Sequence, residues 1–210
     1  MILDVHLHTI FSDGINTPAE MAAQVKRLKI DGFAITDHNT VKGQKIAREA
    51  AKKLKLTFVP GIEVSSLEGH VLGLFITENI PKCLSAEETV ERIHEQGGIA
   101  IAAHPYDHFR ESVKDLVRKV KFDYIEVYNT RAPFLPDNWK AQKVAKELGL
   151  KITAASDAHA IEEVGYGTVY VKGLNDFSSG KLKIHKANWT PPWILTYGKF
   201  RRLLKKHGLY

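Results

Sequence analysis

Ile2-Leu3-Asp4-Val5-His6-Leu7-His8, at the N-terminus, is a short aliphatic run that closes on two histidines spaced two apart. Alternate residues of an extended chain face the same way, so His6 and His8 are expected on one face at the end of a first strand. The pattern recurs along the chain. Apolar stretches at 32–36, 56–64, 69–75, 99–103, 124–128, 152–155 and 168–171 read as further strands. Histidines cluster at or just past strand ends: His38 follows the second, His104 ends the fifth and His159 follows the seventh. His70 lies at the turn into the fourth.

Helices are expected between these strands. Thr17-Pro18-Ala19-Glu20 and Ser85-Ala86-Glu87-Glu88 are capping boxes, in which a hydroxyl and a glutamate satisfy each other's orphan backbone donors. Residues 42–54, 113–120 and 137–148 also read as helical, the last stopped by Gly149. Strand–helix alternation predicts an α/β protein with a parallel sheet and helical crossovers. About seven strands with helices throughout favour a (β/α) barrel over an open sheet. Residues 1–180 are expected to form the barrel domain. Residues 181–210, rich in lysine and arginine, read as a short basic C-terminal extension packed on it, with an irregular anchor at 188–193 and a helix at 197–206.

Composition narrows the chemistry. The 210 residues carry a formal charge of +6, one cysteine (Cys83) and ten histidines. A single cysteine excludes an internal disulfide framework and a multi-cysteine zinc site. No apolar run approaches the ~20 residues that span a bilayer, and no signal-peptide pattern opens the chain, so no membrane partner and a cytoplasmic location are expected. The basic excess favours anionic partners: a small phosphorylated substrate first, and nucleic acid through the basic extension as a second reading.

In a barrel of this kind the C-terminal strand ends converge on one mouth. Six histidines (6, 8, 38, 70, 104 and 159) would meet there with Asp13, Asp37, Glu63 and Asp157. Packing so many imidazoles and carboxylates together is costly unless divalent cations bind between them. Histidine and carboxylate without thiolate suit Zn²⁺, Mn²⁺ or Fe²⁺, and more than four ligand candidates imply more than one ion. Such clusters activate water and clamp the attacking and leaving oxygens of a phosphate ester. Asp37 and His38 are adjacent and so diverge, one as ligand and the other as its orienter.

The His-x-His, Ser-Asp-Gly, Thr-Asp-His, Gly-Ile-Glu, Ala-His-Pro and Ser-Asp-Ala-His elements, in this order from His6 to His159, resemble the PHP (polymerase and histidinol phosphatase) family. The resemblance implies a distorted (β/α)₇ barrel with a trinuclear site, two to three divalent metals, and phosphoesterase activity by metal-activated hydroxide. It implies that His6, His8, Glu63 and Asp157 hold a first metal. Glu63 would bridge to a second, with His70 and His104. Asp13, His38 and His159 would hold a third, with Asp13 standing where many relatives carry histidine. Arg131, in Asn129-Thr130-Arg131, resembles a phosphate clamp, since guanidinium matches phosphate oxygens in pairs. Catalytic roles fall to Arg131, to Asp37 as orienter and to His104, which with a metal-held water is one of two candidates for protonating the leaving group. Some small nucleotide-cleaving relatives insert a domain between the equivalents of His70 and His104. Only a helix-sized segment stands there in this chain, which predicts a more open site.

Rival readings share much of this pattern. A nuclease or nucleic-acid-associated phosphodiesterase would use the same metals. A C–N bond hydrolase of the amidohydrolase type also opens on His-x-His, but often bridges its metals with a strand lysine, and none stands at a strand end here. Some barrel relatives serve as ribonucleoprotein subunits after losing their metal ligands, whereas all nine positions are filled in this chain. His94, His108, His185 and His207 read as residues outside the site. Glu126 is expected to pair with a nearby lysine, Asn129 is unassigned, and Trp189 and Trp193 are expected to pin the terminal segment to the barrel.

Overall fold

The computed structural model describes residues 1–206, with side chains through residue 204. His207 and the side chains of Lys205 and Lys206 lie outside the described residues. Nine strands form one sheet: β1 (Ile2–Asp4), β2 (Gly32–Ile35), β3 (Thr57–Ser65), β4 (His70–Leu74), β5 (Ile99–Ala102), β6 (Tyr124–Asn129), β7 (Lys151–Ala155), β8 (Gly167–Tyr170) and β9 (Lys183–Ala187). Their order is β7-β6-β5-β4-β3-β2-β1-β8-β9.

Four helices cover the outside: α1 (Pro18–Arg27), α2 (Gln44–Leu54), α3 (Ala86–Glu95) and α4 (Leu135–Leu148). Both capping boxes form, with Thr17 and Glu20 closing α1 and Ser85 and Glu88 closing α3. An N-cap of this kind is worth about 1 kcal/mol. Gly149 ends α4 at φ 62°, a left-handed position that favours glycine.

Period-two alternation sorts the strand residues onto two faces. Phe33 and Ile35 pack against Met21, Val25 and Ala47 of α1 and α2. Ile125 and Val127 pack against Val90 and Ile93 of α3 and Val144 of α4. The opposite face gathers Ala34, Val59, Leu72, Ile101, Tyr124, Ala155 and Val169 into an inner cluster beneath the mouth. All of these are essentially inaccessible to solvent.

The sheet is not uniformly parallel. β4 runs antiparallel to both β3 and β5. Only four residues separate β3 from β4, whereas a parallel return needs a crossover of about a dozen. A hairpin is therefore the only connection available. β8 is likewise antiparallel to β1, and β9 to β8. β9 falls within the basic C-terminal extension, just before the stretch expected to be irregular. The helix expected at 113–120 is a 3₁₀ turn at Lys114–Arg118, entered through Lys114 at φ 48°, which blocks regular α geometry.

Past the strand ends, Leu7 bridges Ala158 in parallel register, and His8 N–H donates to the Ala158 carbonyl at 2.8 Å. Lower down, a Cβ on Gly167 would lie 2.3 Å from the Ala155 carbonyl, so β7 and β8 touch backbone to backbone. These two contacts draw the sheet into a nearly closed barrel. Beyond β8 come a short helix α5 (Asn175–Ser179), β9, and a final helix α6 (Pro192–Lys206). α6 starts earlier than expected because proline is tolerated in a first helical turn. No described helix is long and apolar enough to cross a membrane.

Candidate metal centre

Glu63 lies at the centre of the mouth, 1% exposed, two residues from the end of β3. His6 Nε2 and His8 Nε2 approach its Oε2 at 3.2 and 3.1 Å, and Asp157 Oδ1 at 3.6 and 3.3 Å. His70 Nδ1 and His104 Nε2 approach its other oxygen at 3.3 and 3.2 Å. His38 faces both ways, with Nδ1 3.4 Å from Glu63 Oε2 and Nε2 3.8 Å from Asp13 Oδ1. Asp13 Oδ2 lies 3.0 Å from His159 Nε2, and Asp13 Oδ1 lies 3.8 Å from His8 Nδ1. All nine expected ligand positions therefore meet around one glutamate, and His8 and His38 each turn both ring nitrogens toward carboxylates.

Local backbone helps to aim them. Asp157 has φ 54° and His104 φ 28°, left-handed conformations for residues that carry a Cβ. Each costs about 1–3 kcal/mol and persists only where the surroundings enforce it. Around Asp157 the enforcing contacts are the Leu7–Ala158 bridge and two donors on its Oδ2. These are Asn129 Nδ2 at 3.1 Å and a short contact from the Arg110 guanidinium.

The donor set fits divalent cations. His6 Nε2, both nitrogens of His8, His38 Nδ1, His70 Nδ1 and Asp13 Oδ1 are buried without a hydrogen-bond partner. Each such orphan costs about 1–3 kcal/mol, yet here they point at one another. A tetrahedral ion with bonds of about 2.1 Å has ligand–ligand edges of about 3.4 Å, close to the 3.1–3.6 Å around His6 and His8.

Electrostatics are consistent with that fit. Burial pushes Glu63 toward neutrality, but His6, His38 and His70 outweigh it and hold the carboxyl well below its ordinary range. Burial likewise opposes ionisation of Asp157, and His6 and Arg110 reverse the effect. Burial disfavours protonation of His8, but Asp157 and Glu63 raise it to about 9. His38 goes the other way, lowered to about 4 chiefly by burial. Burial and the Arg131 guanidinium hold His159 well below its usual value.

Asp37 is not in this cluster. Its carboxylate accepts the Thr9 N–H at 2.6 Å, the Thr9 hydroxyl at 2.7 Å and the Ser12 hydroxyl at 2.8 Å, so it organises the loop that carries Asp13. Arg131 does reach the mouth: Nη1 lies 2.5 Å from His159 Nδ1 and Nε 3.2 Å from Glu163.

Two further residues of the site emerge from the structure. Among the described residues, Glu126 pairs with no lysine. Its Oε1 lies 3.1 Å from His6 Nδ1, and its Oε2 accepts the His104 N–H at 2.8 Å and Asn129 Nδ2 at 2.9 Å. Its place on the inner face, two residues from Tyr124, was the available sign. Arg110 joins Asp157, Asp107 and Asn129 from an aperiodic loop that carries no such sign. His94 pairs with Asp123, His108 with Asp137 and His185 with Thr168, all outside the cluster.

The PHP domain family model matches residues 4–164, a span that holds all nine clustered residues. The chain belongs to the PHP family. Among curated proteins, this PHP chain is 37% identical over 163 residues to an uncharacterized protein, MJ1587, of Methanocaldococcus jannaschii, covering 72% of this chain and 95% of that one. It is 35% identical over 101 residues to a phosphoribosyl 1,2-cyclic phosphate 1,2-diphosphodiesterase of Eggerthella lenta, covering 45% of this chain and 38% of the relative. Among solved structures, a two-domain Bacteroides vulgatus protein containing a PHP-like metal-dependent phosphoesterase superposes with TM-score 0.74 at 18% identity. That alignment covers 89% of this chain and 65% of the other. PHP membership makes this chain a metal-dependent hydrolase of phosphate esters.

Proposed function

We propose that this PHP protein hydrolyses a small phosphorylated substrate at a trinuclear centre. His6, His8, Glu63 and Asp157 would hold one divalent ion, Glu63, His70 and His104 a second, and Asp13, His38 and His159 a third. The observation that carries this reading is the convergence of orphaned buried imidazole nitrogens, His6 Nε2, His8 Nε2 and His38 Nδ1 on one oxygen of Glu63 and His70 Nδ1 on the other. Divalent ions bound there supply Lewis acidity and a nucleophile active near neutral pH. Zn²⁺, Mn²⁺ and Fe²⁺ all suit the ligand set.

The chain's own residues do the rest. Glu126 accepts from His6 Nδ1 and so keeps the proton off Nε2, the nitrogen that faces Glu63 and Asp157. Asn129 and Arg110 occupy Asp157 Oδ2 and leave Oδ1 turned to the two histidines. The Arg110 and Arg131 guanidiniums line the same cavity of about 360 Å³ and would hold the phosphoryl oxygens from one side. His104, 4% exposed, has its protonation lowered by burial and by Arg110, which suits an imidazole kept neutral as a ligand better than a proton donor.

The test is reconstitution. Stripped protein is reloaded separately with Zn²⁺, Mn²⁺ or Fe²⁺, and hydrolysis of phosphomonoester and phosphodiester probes is followed. Activity restored only by metal, with more than one equivalent bound, is expected. Undiminished activity in the stripped protein defeats the reading. Faster cleavage of diesters than of monoesters would favour the phosphodiesterase reading, in keeping with the Eggerthella relative.

A further inference from the structure

The family match ends at residue 164, yet one wall of the mouth comes from beyond it. Leu195, Lys199 and Arg202 of α6 line the same cavity as Arg110 and Arg131. Arg202 Nη1 reaches Asp13 Oδ2 at 3.2 Å, touching the metal-ligand cluster itself.

The helix is held in that position by built contacts. Thr190 is fully buried, donates its N–H to the Thr130 carbonyl at 2.9 Å and shares a hydroxyl bond with Thr130 at 2.8 Å. Trp189 Nε1 donates to the Ala132 carbonyl at 3.0 Å. The entry to α6 is thus fastened on both sides of Arg131. Within the helix, a Cβ on Gly198 would lie 2.7 Å from Glu163 Oε1, so α6 comes close to the barrel rim there. Arg201 adds an ion pair to Glu162 at 2.9 Å.

The charges at the mouth are unequal. Arg110 is satisfied by Asp107 and Asp157, and Arg131 faces Glu163. Arg202 shares Asp13 with three histidines. Lys199 is exposed, lines the cavity and has no acidic partner among the described residues. A phosphoryl group held by Arg110 and Arg131 would leave Lys199 with no anion to pair with.

We propose that Lys199 and Arg202 form a second anion site, so that the substrate carries a phosphate or carboxylate in addition to the phosphoryl group that is cleaved. This rests on the phosphoesterase reading and narrows its substrate class. α6 is then a specificity element that lies beyond the family match.

The experiment compares propyl phosphate, 1,3-propanediol bisphosphate and 4-phosphooxybutyrate as substrates of the metal-loaded full chain. A calorimetric titration of propane-1,3-bisphosphonate against propylphosphonate runs beside it. The bis-anions are expected to show kcat/KM at least tenfold above propyl phosphate, with a matching preference in binding. The bisphosphate and the carboxylate arms tell the two second anions apart. In Lys199→Ala/Arg202→Ala the preference should shrink to within threefold, mainly through KM, while Lys143→Ala on exposed α4 keeps it. Equal use of mono- and bis-anions by the wild type, or a preference that survives the double substitution, overturns the second site and leaves phosphoesterase activity standing. Cleavage of none of the three, with metal bound, overturns the proposed hydrolysis of a small phosphorylated substrate, and the titration then still decides the anion site.

Discussion

Glu126→Gln tests the centre through a residue that is not itself placed as a ligand. Glu126 carries one donor on Oε1, from His6 Nδ1, and two on Oε2, from His104 N–H and Asn129 Nδ2. Glutamine keeps the shape but has only one acceptor oxygen. If the amide oxygen faces His6, its NH₂ group confronts two donors. If the oxygen faces His104 and Asn129, the NH₂ group confronts His6 Nδ1, which must then accept. The His6 proton moves to Nε2 and blocks the nitrogen that faces Glu63 and Asp157. The first arrangement sets buried donor against buried donor, at about 1–3 kcal/mol, and the second turns a proton toward the metal side. Loss of a ligand's orienting partner typically weakens metal binding about 10–100-fold, which corresponds to about 1.4–2.8 kcal/mol. Competition against a chromophoric chelator measures the affinity, and urea unfolding of the stripped protein shows whether the fold survives. A Gln variant that binds metal as tightly as wild type would falsify the orienting role.

Asp37→Ala should destabilise by about 2 kcal/mol or more, because three donors on Thr9 and Ser12 lose their acceptor. A urea midpoint shift without that loss removes Asp37 as the organiser of the Asp13 loop. Gly167→Ala should cost at least about 1–3 kcal/mol through backbone overlap with Ala155, read as a lowered Tm, and unchanged stability would mean that the strands separate easily there. The stripped protein should lose stability as pH rises from about 6.5 to about 9. His8 stays protonated in the fold up to about 9 but only to 6.5 when unfolded, so the folded state binds the extra proton in that window and gives it up at the top. Metal binding should show the reverse, tightening over the same window as His8 yields its proton, and a flat affinity–pH profile would contradict it.

The strands and their terminal histidines were legible because each is a local pattern: an apolar run, then a chelating residue. The capping boxes and Gly149 were legible for the same reason, being contacts made within a few residues. What escaped depended on distant neighbours. Glu126 is a lone glutamate in a strand until His6, far away in sequence, is placed beside it. Arg110 lies in a loop without periodicity, and two of its three partners come from other segments. The antiparallel course of β4 was partly visible in the short gap after β3, but an apolar run does not state its own direction. Asp37 was read as diverging from His38, as it does, but the loop to which it binds was not recoverable from spacing.

The bridge between Leu7 and Ala158 has a consequence for how the protein is made. It joins the first strand to a segment roughly 150 residues later. His6 and His8 lie on one side of this seam, Asp157 and His159 on the other. A growing chain therefore presents its histidine pair roughly 150 residues before Asp157 and His159, and the first and third of the proposed ligand sets stay incomplete until those two follow. Contacts of such long range form slowly, because loop closure must precede their reward. Ions held at the proposed centre would act as a clasp across this seam, because their ligands come from both sides of it.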